Sequence, residues 1–268
     1  MGRIFDALEK HKKDTALGGG MLSAKRTDEI EKDKKPPVLL SQDGCDPKLV
    51  TLTAPDSFDA ELFKVLRAQI LFPQSGTRKK SIMVTSTFPD EGKTFVAANL
   101  GVSIASGINE HVLLVDGDFR RPNLHKMFGY SNAAGLHEYL TDKKDLADLI
   151  IRTRLDKLSL LPAGSPSHNP SELLASNEMK GFLEEVRDRY DDRLIIIDSA
   201  PVQATAEAGV LSNYVEGVIL VVRSQKAPRE MVLRTVETLG RNKILGVIFN
   251  GYAKSMKQYG KYYGNYYR

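Results

Sequence analysis

Beyond residue 80, short apolar runs alternate with stretches of helical period. The runs at residues 81–85, 112–115, 158–161, 194–197, 217–222 and 244–249 have strand length and few polar interruptions. A strand that is apolar on both faces is buried on both, which is how strands of a parallel sheet under two helical layers read. Between them, residues 92–106, 177–190 and 229–241 place apolar side chains at three- and four-residue intervals, as helices do. No internal repeat is visible. The pattern predicts a doubly wound, mostly parallel α/β domain whose ligands lie at the carboxyl ends of the strands.

Ahead of that region the pattern weakens. Residues 57–72 have helical period through Leu62, Phe63, Leu66 and Ile70, with Ser57 placed as the N-cap. Residues 14–55 are rich in Gly, Lys, Glu and Pro, including Gly18-Gly19-Gly20 and Pro36-Pro37, and read as a linker. Residues 1–13 form a short amphipathic stretch with Ile4, Phe5 and Leu8 on one face. It reads either as a membrane-surface or partner-docking helix or as a loosely ordered terminus.

Composition narrows the class. With 268 residues and 41% apolar side chains, the chain can bury a full core, so wholesale disorder is excluded. No apolar run approaches the ~18–20 residues that span a bilayer. The first residues lack a continuous apolar signal-peptide core, so a cytoplasmic protein is expected. The single cysteine, Cys45, excludes an internal disulfide framework and a cysteine-cluster zinc site; it falls in the linker and reads as incidental. His125, His137 and His168 show no metal-ligand spacing with a cysteine and read as surface or capping residues.

The net charge of +4 is weak support for nucleic-acid binding, and no nucleic-acid partner is expected. Its placement says more. The last 17 residues carry Lys254, Lys257, Lys261 and Arg268 with no acids, so the body is neutral and the tail basic.

Three strand ends carry candidate chemistry. Residues 84–94 run from a strand through Thr87-Phe88-Pro89-Asp90-Glu91 into Gly92-Lys93-Thr94, the end of a phosphate-binding loop. There, backbone N–H groups and a helix N-terminus cradle phosphates, a lysine reaches the β/γ-phosphates, and a hydroxyl ligates Mg²⁺. The first glycine of the strict motif would fall at Thr87, so the bland alternative is a capped helix start with a solvated lysine. The second end, Val115-Asp116-Gly117-Asp118-Phe119-Arg120-Arg121, puts two carboxylates at the end of a buried strand. They are costly unless a cation such as Mg²⁺ compensates them, or unless they cap the next segment. The third, Ile195-Ile196-Ile197-Asp198-Ser199-Ala200-Pro201, ends in an acid suited to holding Mg²⁺ or its water, or in a plain turn residue. All three in this order on one sheet point to ATP with Mg²⁺ and a P-loop NTPase type of sheet.

The tail is unlike the rest. Five of the ten tyrosines lie in the last ten residues, spaced by Gly260 and Gly264. A sticky low-complexity end and stacking on single-stranded RNA are two readings. Phosphate acceptance is the third.

With these motifs the chain resembles the bacterial tyrosine kinases, soluble autokinases associated with exopolysaccharide export. The resemblance covers residues 55–268 and rests on residues 89–94, 115–122, 195–201 and the tyrosine cluster. It rests too on Leu161-Pro162-Ala163-Gly164, on Asn169-Pro170-Ser171-Glu172-Leu173-Leu174, and on a helix similar to the family's Glu-x-x-Arg-x-x-Arg oligomerisation motif, here Glu61, Lys64 and Arg67.

Pattern and resemblance together divide the chain into an N-terminal amphipathic segment and linker over residues 1–55, a P-loop ATPase/kinase domain over 56–251 and a tyrosine-rich tail over 252–268, the first and last flexible. It implies that Asp90, Glu91, Gly92, Lys93, Thr94 and Phe95 surround the nucleotide, with Asn250 at the adenine. Thr94, Asp116 and Asp198 would hold Mg²⁺, Lys93 would contact the phosphates, and Asp118 would orient or deprotonate the acceptor. Tyr259, Tyr262, Tyr263, Tyr266 and Tyr267 would be acceptors, presented to a neighbouring subunit in a ring. Implied partners are a membrane polysaccharide chain-length regulator, which activates the kinase, and a protein-tyrosine phosphatase; the chain would sit in the cytoplasm, at the inner membrane face through that partner.

Three departures carry expectations. Asp90 replaces a glycine, which predicts backbone strain and repulsion of the nucleotide. Lys64 replaces an arginine and loses bidentate capacity, and Ser199-Ala200-Pro201 replaces Thr-Pro-Pro. Two rivals stand beside the kinase. One is a ParA/MinD-like switch ATPase, opposed by Phe88 where that class carries a lysine and by the tyrosine tail. The other is an inactive pseudokinase scaffold, made credible by Asp90.

Overall fold

A computed structural model describes residues 44–252, except 75 and 190–192. The amphipathic segment with Ile4, Phe5 and Leu8, most of the expected linker, and the tail tyrosines Tyr259, Tyr262, Tyr263, Tyr266 and Tyr267 lie outside the described residues.

In chain order the elements are α1 (Val50–Thr53), α2 (Phe58–Leu71), β1 (Ser81–Ser86), α3 (Lys93–Ala105), β2 (His111–Asp116), α4 (Leu124–Met127), α5 (Leu136–Asp142), α6 (Leu146–Leu149), β3 (Ile151–Arg152), β4 (Leu158–Leu161), α7 (Pro170–Leu174), α8 (Asn177–Arg189), β5 (Arg193–Asp198), α9 (Glu207–Ser212), β6 (Gly217–Arg223), α10 (Arg229–Leu239) and β7 (Ile244–Asn250). The seven strands lie in the order β3-β4-β2-β5-β1-β6-β7. Every pairing is parallel except β3 with β4.

Central strands are apolar on both faces because both faces are covered. Ile82, Val84, Leu114 and Ile196 pack into a core with α2 and α3, while Met83, Leu113, Ile195 and Leu220 pack into a second core with α5, α8 and α9. Gly101 lets α3 lie close on the sheet: a Cβ there would come within 2.8 Å of a Leu114 methyl. Ser57 caps α2 as expected, its hydroxyl accepting from the Ala60 amide at 3.2 Å. No helix among the described residues is long and apolar enough to cross a membrane.

Packing begins earlier than the expected domain start at residue 56. Leu49 is fully buried, and the Asn99 side chain accepts from the Thr51 amide at 3.0 Å while donating to the Lys48 carbonyl at 3.0 Å. Cys45 accordingly lies partly buried against this core rather than in a free linker. His125 also departs from its surface reading. It is buried, its Nδ1 lacks a hydrogen bond among the described residues, and burial followed by the Lys126 charge lowers its pKa.

Candidate nucleotide and phosphoryl-transfer site

The three strand ends singled out in the sequence meet at the carboxyl edge of the sheet. β1 lies between β5 and β6, and β2 lies on the far side of β5, so loops from β1, β2 and β5 converge.

The loop after β1 is held by its own acid and by the opposite edge. Glu91 is fully buried; its Oε2 accepts from the Phe88 amide at 2.7 Å and its Oε1 from the Arg223 amide at 3.2 Å. Asn250 donates its side-chain N–H to the Glu91 carbonyl at 2.8 Å. Gly92, the N-cap of α3, has φ +100°, and a Cβ on it would sit 2.1 Å from the Asn250 Nδ2. Both its left-handed backbone and the approach of Asn250 require glycine there. Glu91 and Asn250 therefore shape the loop, and neither role was legible from local pattern.

Asp90 does adopt a left-handed backbone, φ +61°, so the expected strain position is real. The expected repulsion is not supported by where the side chain points. Its carboxylate is mostly exposed and lies 3.7 Å from the Lys226 ammonium, while its carbonyl accepts from Arg223 at 3.2 Å. Aspartate tolerates this backbone region better than most side chains.

Lys93 opens α3 and lies almost buried, its Nζ 2.8 Å from the Asp118 Oδ2. Burial opposes its charge, but Asp198, Asp118 and Asp116 outweigh that and raise its pKa. Asp118 also accepts from the Arg121 amide at 3.0 Å.

Asp116 and Asp198 stand in one register row on neighbouring strands, and both are fully buried. Asp116 is committed to its own loop: its oxygens accept from the Asp118 amide at 3.2 Å and the Leu124 amide at 3.0 Å. Burial and the Asp198 charge push its pKa well up. Asp198 is different. Neither of its oxygens makes a hydrogen bond within 3.5 Å among the described residues. Burial raises its pKa to about 6, against the opposing pull of Lys93 and the nearby Thr94 hydroxyl.

A buried, unpartnered carboxylate beside a second carboxylate and a helix-start hydroxyl is the donor set Mg²⁺ takes when it also binds phosphates and waters. Among the described residues no group of three His, Cys, Asp or Glu side chains forms a metal site by itself.

Phe95, next to Thr94, packs edge-on against Phe63 at 5.7 Å. It lines a groove of about 590 Å³ with Phe58, Phe249, Asn250 and Tyr252. The proposed oligomerisation residues lie on α2. Glu61 and Lys64 pair with each other at 3.0 Å on the surface. Arg67 turns inward and donates to the Ser103 carbonyl at 2.8 Å, so it is already engaged within its own subunit. Arg120 and Glu207, which local pattern did not single out as a pair, form an ion pair of 2.7 Å at the rim of the site.

Comparison with known proteins agrees with this geometry. A family model described as an AAA domain matches residues 80–241. The chain is 35% identical over 218 residues to the tyrosine-protein kinase YwqD of Bacillus subtilis, covering 81% of this chain and 91% of that one. The solved kinase domain of the Escherichia coli tyrosine kinase ETK is 30% identical with a TM-score of 0.72, over 84% of each chain. The septum site-determining protein MinD from Pyrococcus horikoshii, solved with Mg-ADP, is 26% identical with a TM-score of 0.55, over 66% of this chain and 72% of that one.

Proposed function

The chain belongs to the bacterial tyrosine-protein kinases, and from that premise we propose that it is an ATP- and Mg²⁺-dependent autokinase whose acceptors are its own C-terminal tyrosines. The observation that carries this reading is the buried, uncommitted Asp198 carboxylate beside Asp116 and Lys93, at the end of a strand that also faces the phosphate loop.

Lys93 and the first amides of α3 bind the β- and γ-phosphates. The groove beside Phe95 takes the base, with Asn250 at its end. Thr94, Asp116 and Asp198 would hold Mg²⁺, which supplies charge neutralisation across the phosphates when bound. Asp118 receives or orients the phenolic proton of the acceptor. The tyrosine oxygen bonds to the γ-phosphorus, the bond from that phosphorus to the bridging oxygen breaks, and ADP leaves. Positioning and electrostatics do most of this work, which suits a site with little covalent machinery.

The acceptor tail comes from a neighbouring subunit. Sixteen residues follow Tyr252, up to about 55 Å when extended, which is enough to reach an adjacent site. Its +4 charge draws it toward the acids that end β2 and β5, Asp116, Asp118 and Asp198, which lie buried at the floor of the site. Each phosphotyrosine adds about −1.5 to −2, so three reverse the tail's charge and loosen the assembly. In the cell this reading places the protein at the inner membrane face, under a polysaccharide chain-length regulator and opposed by a tyrosine phosphatase.

The test is phosphotyrosine formation by purified protein with Mg²⁺-ATP, alongside Lys93→Ala and a truncation after Tyr252. Signal in the unaltered protein and loss in both variants are expected. Mixing the Lys93→Ala chain with the truncated one should restore phosphorylation on the former, since one supplies the tail and the other the site. ATP hydrolysis without phosphotyrosine would instead identify a switch ATPase, and absence of nucleotide binding a scaffold.

A further inference from the structure

Glu207 is completely buried, yet it has no catalytic assignment above. Its Oε1 accepts from the Arg120 Nε at 2.7 Å, and its Oε2 is buried without a hydrogen bond among the described residues. Arg120 keeps 54% of its side chain exposed, so the pair is asymmetric: an acid locked inside and a guanidinium reaching in from the rim.

Such a pair is a poor stability device. Half of a carboxylate left unsatisfied in a low-dielectric site costs free energy, and an uncharged side chain of the same volume would fold at least as well. What the pair does achieve is location. Arg120 belongs to the loop after β2 and Glu207 to the first turn of α9, after β5, so the contact joins the two loops that carry the site's acids.

The loop end it fixes is the catalytic one. Arg120 sits in the turn that the Arg121 amide closes onto the Asp118 Oδ1 at 3.0 Å, and the other Asp118 oxygen lies 2.8 Å from the Lys93 ammonium. A continuous path thus runs from Glu207 through Arg120 and the Asp118 turn to Lys93.

We propose that Glu207 is a positioning residue for tyrosine phosphorylation: through Arg120 it holds the Asp118 turn, and so the proton-accepting carboxylate, at a fixed place relative to the phosphate loop. This rests on the kinase reading above. Glu207 touches neither nucleotide nor acceptor; it sets where Asp118 stands. Displacing a reacting group by about 1 Å costs on the order of a hundredfold in rate, which gives the contact its leverage.

Two variants and two independent readouts test it. Glu207→Gln keeps the volume and removes the charge. Arg120→Lys keeps the charge and removes the planar guanidinium, leaving the buried acid compensated. The first readout is hydrogen exchange of the Arg121 amide in the full chain without nucleotide. The second is the single-turnover rate of tyrosine phosphorylation, measured beside the Mg²⁺-ADP dissociation constant.

Glu207→Gln is expected to accelerate Arg121 exchange by about tenfold or more and to slow phosphorylation by about 10- to 100-fold, with the dissociation constant held within about twofold. Arg120→Lys should fall between it and the unaltered protein. A chain doubly substituted by Gln at both positions should be no slower than the worse single variant, since the two act as one unit. Unchanged exchange in Glu207→Gln overturns the proposal, as does a rate loss matched by an equal loss of nucleotide binding. If the unaltered protein makes no phosphotyrosine, the kinase reading has failed instead, and the exchange of Arg121 still decides whether the clamp exists.

Discussion

The acids that end β2 and β5 begin alike and finish differently. Asp116 and Asp198 occupy one register row, and both are fully buried at the end of a parallel strand. Asp116 spends its oxygens on two amides of the following loop, whereas Asp198 spends neither. The first acid therefore has a structural task that any ligand must share. The second is a cost to the folded chain that Lys93 and the nearby Thr94 hydroxyl offset only in part. Burial alone does not separate functional from structural carboxylates here; the ledger of hydrogen bonds does.

The strongest way to break that contrast is to remove the cation both acids share. Lys93→Ala should lower the phosphorylation rate by about 100- to 1000-fold or more, because it removes the charge that meets the phosphates. Its effect on the folded chain should be unfavourable as well, since Lys93 also lowers the Asp198 pKa. Rate and thermal unfolding of the purified variant check both parts.

Neutralising the acids one at a time should then separate them by size. Asp198→Asn removes a charge whose pKa stands near 6 instead of 3.8, which favours the folded chain at pH 7 by up to about 3 kcal/mol while depressing activity. Asp116→Asn also relieves a carboxylate whose pKa is raised, but it sacrifices an acceptor for one of two amides, so its gain should be smaller than that of Asp198→Asn by about 1–2 kcal/mol. Urea unfolding of the two variants gives the difference directly.

The pH dependence sharpens the same point. A carboxylate with a raised pKa binds protons more readily in the folded chain, so this contribution to stability is present below the ordinary value near 3.8 and is lost as pH rises through about 6. Ligand binding runs the other way. Mg²⁺-nucleotide affinity should fall as pH drops below about 6, by up to about tenfold per unit, because protons compete for Asp198. Titration calorimetry from pH 7.5 to 5.5 would show it, and a flat profile would remove Asp198 from the cation site.

The smallest effect should come from Asp90→Gly. It relieves a left-handed aspartate and deletes an exposed pair with Lys226, changes of opposite sign and each about 1 kcal/mol or less. Nucleotide affinity is expected to change less than about threefold, because the carboxylate is exposed to solvent and paired with Lys226.

The sheet and its three loaded strand ends were legible because continuous apolar runs between helical periods leave few other folds open. The two-residue β3 was not, being too short for any period to register. Nor was the packing of residues 44–54, where Lys48 and Thr51 are held by Asn99, far along the chain. The same limit governs the site. Lys93, Asp116 and Asp198 announce themselves by local motif, whereas the bracing of the phosphate loop by Glu91, Arg223 and Asn250 spans more than 130 residues. Glu207 sits among Ala204, Ala206 and Ala208, where nothing local marks it, and its role rests on Arg120, 87 residues away. Asp90 shows the converse error: its position in the loop was legible, but the direction of its side chain was decided by Lys226, on another strand's turn.

The most direct test of the contrast between the two acids is the gain in ADP affinity that Mg²⁺ confers, measured by calorimetry on the unaltered chain and on Asp198→Asn. The account predicts that Mg²⁺ strengthens ADP binding in the unaltered protein and that Asp198→Asn loses most of that gain while binding metal-free ADP at least as well. Full retention of the Mg²⁺ gain in Asp198→Asn would contradict it.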